Sequence, residues 1–78
     1  MIPRKGTVLL TMHKHCPGCV ALKKKLDKAH IPFKEVYVDD PKPPRWVTSV
    51  LVQGVPQLFH DGTMVQDGDI NAWVRRNR

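Results

Sequence analysis

Cys16-Pro17-Gly18-Cys19 places two thiols three positions apart. On a helix that spacing brings them to one face, one turn from each other. Two sulfurs so placed can act in sequence: a thiolate attacks a substrate disulfide, and the second thiol then attacks the mixed disulfide and releases the reduced substrate. As a structural bridge the pair would achieve little, because a link across two intervening residues closes almost no loop. A metal is the competing chemistry. His13 and His15 stand just upstream, and two histidines with two cysteines suffice for zinc by count. Adjacent His15 and Cys16 rarely reach one tetrahedral ion together, however, and no second paired cluster follows. Haem attachment fails because Val20, not His, follows Cys19.

The surrounding elements must set this pair in place. Thr7 to Met12 is a β-prone apolar run of the kind found in strands buried on both faces. From Pro17 the period becomes helical, with Val20, Ala21, Leu22, Leu26 and Ala29 recurring on one side and Lys23, Lys24, Lys25 and Lys28 mostly between them. Pro17 suits a first helical turn, and Ile31-Pro32 ends the helix. Cys16 therefore falls at a helix N-terminus, where free N–H groups and the dipole favour an anion. A lowered pKa there raises the thiolate population. His13, Lys14, His15 and Lys23 would add positive potential.

Phe33 to Val38 reads as an outer strand, and the proline-rich stretch from Asp39 to Pro44 as a loop. Arg45 to Val52 is expected to be a short helix opened by Pro44 and closed by Gly54. Gln57–His60 and Thr63–Gln66 flank Asp61-Gly62, a hairpin signal. Ile70 to Arg76 forms a last helix, with Ile70, Trp73 and Val74 facing inward and Asp69 as its N-cap or first-turn acid. Trp46 and Trp73 read as core, His30 as a cation at the end of the first helix, and His60 as an exposed strand end. The first two strands, joined by a crossover helix, should be parallel.

Length and charge narrow the function classes. The 78 residues allow one domain, and the net charge is +6. With 41% hydrophobic residues the chain is not a disordered tail. No apolar run is long enough for a membrane span, and the N-terminal residues do not read as a signal peptide. A reducing, cytoplasmic compartment follows as the default. The basic clusters Lys23–Lys28 and Arg75–Arg78 lack interleaved aromatics, so they read as solvated faces or a steering field and not as a nucleic-acid site.

Taken together, the chain resembles the glutaredoxins and related small redoxins of the thioredoxin superfamily, over roughly Thr7 to Arg76. Cys16-Pro17-Gly18-Cys19, Gly54-Val55-Pro56-Gln57-Leu58-Phe59 and Gly68-Asp69 carry the likeness. The resemblance implies a cis bond before Pro56, opposite Cys16, with the Val55 backbone pairing with an extended substrate or glutathione. It implies a substrate or glutathione site drawn from His13, Lys14, Pro17, Gly18, Val55, Pro56, Gly68 and Asp69. The chain also departs from the family pattern. Gly18 stands where an aromatic residue is common, His13 where a Lys is usual, Gly54 where Thr is frequent, and Asp67 where the first of two glycines is expected.

The expectation is a single domain over residues 1–78 of α/β class. It has a compact thioredoxin-like fold in the order β-α-β-α-β-β-α, with a four-stranded mixed sheet flanked by helices. Its function is dithiol–disulfide oxidoreduction, with Cys16 as nucleophile and Cys19 as resolving thiol. It binds no cofactor, and glutathione or a thioredoxin reductase donates electrons. The substrate is a disulfide-containing protein such as ribonucleotide reductase, and the chain is a monomer that meets neither nucleic acid nor membrane. The alternative is a metal-binding module holding zinc, copper or a bridging iron–sulfur cluster through Cys16, Cys19 and the nearby histidines.

Overall fold

The computed structural model describes residues 2–50 and 54–78. Along the chain these form β1 (Thr7–Thr11), α1 (Pro17–Lys28), β2 (Lys34–Tyr37), α2 (Arg45–Val50), β3 (Gln57–His60), β4 (Thr63–Val65) and α3 (Ile70–Asn77). The expected element order is therefore present. The last part of the expected second helix, residues 51 and 52, lies outside the described residues. The sheet order is β2-β1-β3-β4. β1 pairs parallel with β2, Leu10 opposite Val36, and antiparallel with β3, Leu9 opposite Leu58. β2 is an outer strand, as its imperfect alternation suggested.

Alternation along β1 divides the core in two. Leu9 and Leu58 face Leu22 and Leu26 of α1, Ile31, and Ile70 and Trp73 of α3. Val8, Leu10, Val36 and Phe59 face Trp46 and Val47 of α2. Burying each such side chain stabilises the fold by about 1.5–3 kcal/mol, so both faces anchor the central strand. Trp46 and Trp73 are both core, as expected.

α1 is narrower on its apolar side than its spacing suggested. Its buried residues are Cys19, Leu22 and Leu26, whereas Val20 is 51% exposed. Val20 follows Cys19 by one position, about 100° around the helix, and so turns away from the sheet. The helix ends in a Schellman arrangement: Ile31 N–H donates to Leu26 C=O at 3.0 Å and His30 N–H to Asp27 C=O at 3.1 Å. His30 has φ 56°, the left-handed position usually given to glycine. His30 thus ends the helix through its backbone, a role the reading as a charge at the C-terminus missed.

The hairpin forms as expected, with Asp61 at φ 49° and Gly62 at φ 87°. His60 is not a free strand end. Its Nδ1 lies 3.0 Å from Thr7 Oγ1, and its ring meets Trp73 edge-on at 5.3 Å. Asp69 is likewise not a side-chain cap. A 3-10 turn over Asp67–Asp69 runs straight into α3, and Asp69 at φ −103°, ψ −7° is already helical. An N-cap needs extended backbone to aim its oxygen at the following N–H groups. Asp67 and Asp69 still favour the positive end of this helical segment.

Candidate active site

Cys16 is the N-cap of α1 and Pro17 its first helical residue. The Cys19 N–H donates to Cys16 Sγ at 3.3 Å, and Val20 N–H donates to Cys16 C=O at 3.1 Å. A sulfur has taken the place of the capping oxygen, and no acid stands in the first turn to compete for that position. Cys16 and Cys19 form a disulfide with Cα atoms 5.3 Å apart. The two sulfurs differ in access. Cys16 is part-exposed, whereas Cys19 is 2% exposed.

A groove of about 280 Å³ runs along the pair. Thr11, His13, Lys14, His15, Lys23 and Tyr37 are among the residues that line it with the two cysteines. The loop before Cys16 is held by β2's C-terminal extension. Asp39 accepts the His13 N–H at 2.9 Å on both oxygens and the Lys14 N–H at 3.2 Å. The His13 ring stacks on Tyr37 at 3.9 Å, and its Nε2 lies 2.9 Å from Asp40. Tyr37 O–H donates to Glu35. Lys23 reaches Tyr37 at 3.4 Å and Glu35 at 3.5 Å.

These contacts shift three titrations. The His13 N–H, helped by that of Lys14 and opposed by desolvation, holds the Asp39 carboxyl below its ordinary value. The Glu35 hydrogen bond, with desolvation, raises Tyr37. Desolvation pulls Lys23 down, but the Tyr37 hydrogen bond and the Glu35 charge outweigh it, and the net shift is upward. The positive surround expected of His13 and Lys23 is therefore largely paired with acids: each has a carboxylate within 3.5 Å.

On the other side of the disulfide, Pro56 follows a cis peptide bond from Val55. A Cβ on Gly18 would lie 3.2 Å from Pro56 Cδ. The glycine is thus where the Pro56 ring meets the first turn of α1, and a side chain there would need the ring to yield by a few tenths of an ångström. Val55 precedes β3 and packs its side chain toward the α2 side of the core. A second, smaller groove of about 70 Å³ joins Pro56 and Gln57 to Met64, Val65, Gln66 and Asp67.

The structure therefore brings together Cys16, Cys19, His13 and Lys14 in one groove, with Gly18 and Pro56 in contact beside them. Gly68 and Asp69 line neither groove; Asp67 borders the smaller one in their stead. In this structure both cysteines of the expected metal set are bonded to each other. Among the described residues, the groups able to share an ion are His13, Asp39 and Asp40, without a cysteine, and Asp39 already serves the backbone of the loop. Sequence reasoning missed Asp39, Tyr37 and Glu35. Their signal is the parallel register that sets Val38 N–H on Thr11 C=O at 2.9 Å, and register of that kind is not written in spacing.

The glutaredoxin family model matches residues 8–65. No curated protein sequence matches the chain significantly. Among solved structures, the chain is similar to glutaredoxin 1 from Francisella tularensis, crystallised as a complex with cacodylate. The TM-score is 0.64 at 20% identity, over 88% of this chain and 95% of that one. At this identity the likeness speaks for the fold, which is thioredoxin-like.

Proposed function

The chain belongs to the glutaredoxin family, and from that premise we propose that it is a dithiol–disulfide oxidoreductase that reduces protein or glutathione mixed disulfides through Cys16 and Cys19. The observation that carries this reading is the unequal placement of the two sulfurs: Cys16 is part-exposed at the α1 N-cap, and Cys19 lies buried one turn inside. Only Cys16 is open to an incoming disulfide. In the reduced form the Cys19 N–H and the helix N-terminus stabilise its thiolate, which is the attacking species. Attack forms a mixed disulfide on Cys16 and expels one substrate thiolate. Cys19 then attacks Cys16 Sγ, re-forming the intramolecular disulfide and releasing the second thiolate.

Val55 and Pro56 are the proposed platform for the substrate backbone. Pro56 abuts Gly18, which lies between the two cysteines in sequence. His13 and Lys14, on the opposite wall, are the proposed contacts for a glutathione carboxylate or a peptide. Gly68 and Asp69 would take part only for a ligand that reaches past Asp67. The reading includes a single-domain monomer that works in the cytoplasm without a bound cofactor. Glutathione or a thioredoxin reductase supplies its electrons, and a protein such as ribonucleotide reductase consumes them. No helix among the described residues is long and apolar enough to cross a membrane.

The test is to supply the oxidised protein with glutathione and its reductase, or with thioredoxin reductase, and follow NADPH oxidation. Turnover with one donor is expected, and turnover with neither overturns the reading. Cys16→Ser is expected to abolish disulfide reduction. Cys19→Ser is expected to accumulate a mixed disulfide visible by mass. Full activity in Cys16→Ser would reject the assigned mechanism.

A further inference from the structure

Thr11 ends β1 at 0% exposure, and its hydroxyl has no hydrogen-bond partner among the described residues. Its backbone is engaged, since Val38 N–H donates to its carbonyl at 2.9 Å. A buried hydroxyl left unpaired is costly, and valine would fill the same space without that cost. Strand alternation shows where the side chain is directed. Leu9 faces α1 and α3, Val8 and Leu10 face α2, and Thr11, two positions after Leu9, shares the face of Leu9. On that face the buried residue in the first turn of α1 is Cys19. Thr11 and Cys19 line the same groove.

In the disulfide, Cys19 Sγ is held on Cys16 and makes no hydrogen bond with the Thr11 hydroxyl; reduction breaks that bond and leaves the Cys19 side chain free to turn toward it. In the reduced protein Cys19 is a thiol or thiolate, and a charged acceptor forms a much stronger hydrogen bond. We propose that Thr11 is a positioning residue whose hydroxyl donates a hydrogen bond to Cys19 Sγ in the reduced and mixed-disulfide states. The unpaired hydroxyl of the oxidised form is thus a donor held for the other half of the redox cycle. This rests on the oxidoreductase reading above.

The step it serves is explicit. A donor thiolate attacks Cys16 Sγ, a donor–Cys16 disulfide forms, and the Cys16–Cys19 bond breaks with its electron pair passing to Cys19. Thr11 O–H meets the departing thiolate. A second donor thiolate then attacks the donor sulfur, the two donors leave as a disulfide, and Cys16 is released as a thiolate. In the opposite direction the same hydrogen bond lowers the proton affinity of Cys19 and aims its sulfur at Cys16.

Thr11→Val and Thr11→Ser test the idea. Each is equilibrated in a glutathione redox buffer, and the reduced fraction is read by alkylation and mass. The valine variant is expected to lower the equilibrium constant for reduction about 3- to 10-fold. That corresponds to a potential about 15–30 mV more negative at 29.6 mV per tenfold. Serine, which keeps the hydroxyl, is expected to stay within about twofold of the parent. In a Cys16→Ser background, the Cys19 thiolate midpoint is expected to rise with valine and to return with serine. Thr11→Val should also melt higher than the parent when oxidised and lose that gain when reduced. Equal reduction constants, an unmoved Cys19 midpoint, or the same melting shift in both redox states would overturn the inference. Failure of the parent protein to equilibrate with any dithiol donor would instead reject the underlying function, and the Cys19 midpoint would still decide the role of Thr11.

Discussion

At the scale of residues, the site divides between groups that react and groups that hold the loop in place. Asp39 belongs to the second kind. It fastens the backbone of His13 and Lys14, three and two residues ahead of the reactive sulfur, to the segment that follows β2. Its pKa in the fold lies below the ordinary 3.8. Folding is therefore favoured by this carboxylate wherever it is ionised in both states, above about pH 4, and the contribution is lost as pH falls through the folded value. Asp39→Asn is expected to flatten the stability profile between about pH 5 and 2 relative to the parent, measured by urea denaturation at a series of pH values. A parallel profile would remove Asp39 from this role. The cysteine pair was legible because its chemistry depends on spacing within one segment. Asp39 was not, because its partners lie 25 and 26 positions away and meet it only through the β1–β2 register.

At the scale of elements, α1 carries the chemistry at one end and a conformational cost at the other. Its start was legible from Pro17 and the helical period. Its end at Ile31-Pro32 was legible too, but the manner of ending was not. His30 occupies a left-handed position that Gly accepts freely and an L side chain resists. Leu26 and Ile31 complete the stop by packing into the same cluster. His30→Gly is expected to stabilise the protein by about 0.5–1 kcal/mol, seen as a rise in Tm with unchanged disulfide exchange. A fall in Tm would mean that the imidazole contributes more than its backbone conformation costs. Val20 shows a related limit: an apolar residue at helical spacing need not be buried when the helix presents only a narrow stripe to its sheet. Asp69 shows another, since cap chemistry depends on backbone angles that composition does not reveal.

At the scale of the whole molecule, basic residues stand at both ends of α1, Lys14 beside the disulfide and a cluster at the helix C-terminus. Near the disulfide, His13 and Lys23 are matched by Asp40 and Glu35. At the far end of α1, Lys25, Lys28, Arg75 and Arg78 line a groove of about 340 Å³ between α1 and α3. The helix between them spans roughly 18 Å at about 1.5 Å per residue, more than twice the screening length of about 8 Å at physiological salt. The double variant Lys28→Glu, Arg75→Glu is therefore expected to leave the Cys16 thiolate midpoint unchanged within about 0.2 units, followed by ultraviolet absorbance of the reduced protein. A larger shift would show that the net charge of +6 acts on the sulfur after all. The groove of Lys28, Arg75 and Arg78 and the sulfur of Cys16 stand at the two ends of one helix, so whatever occupies the first leaves the second uncovered.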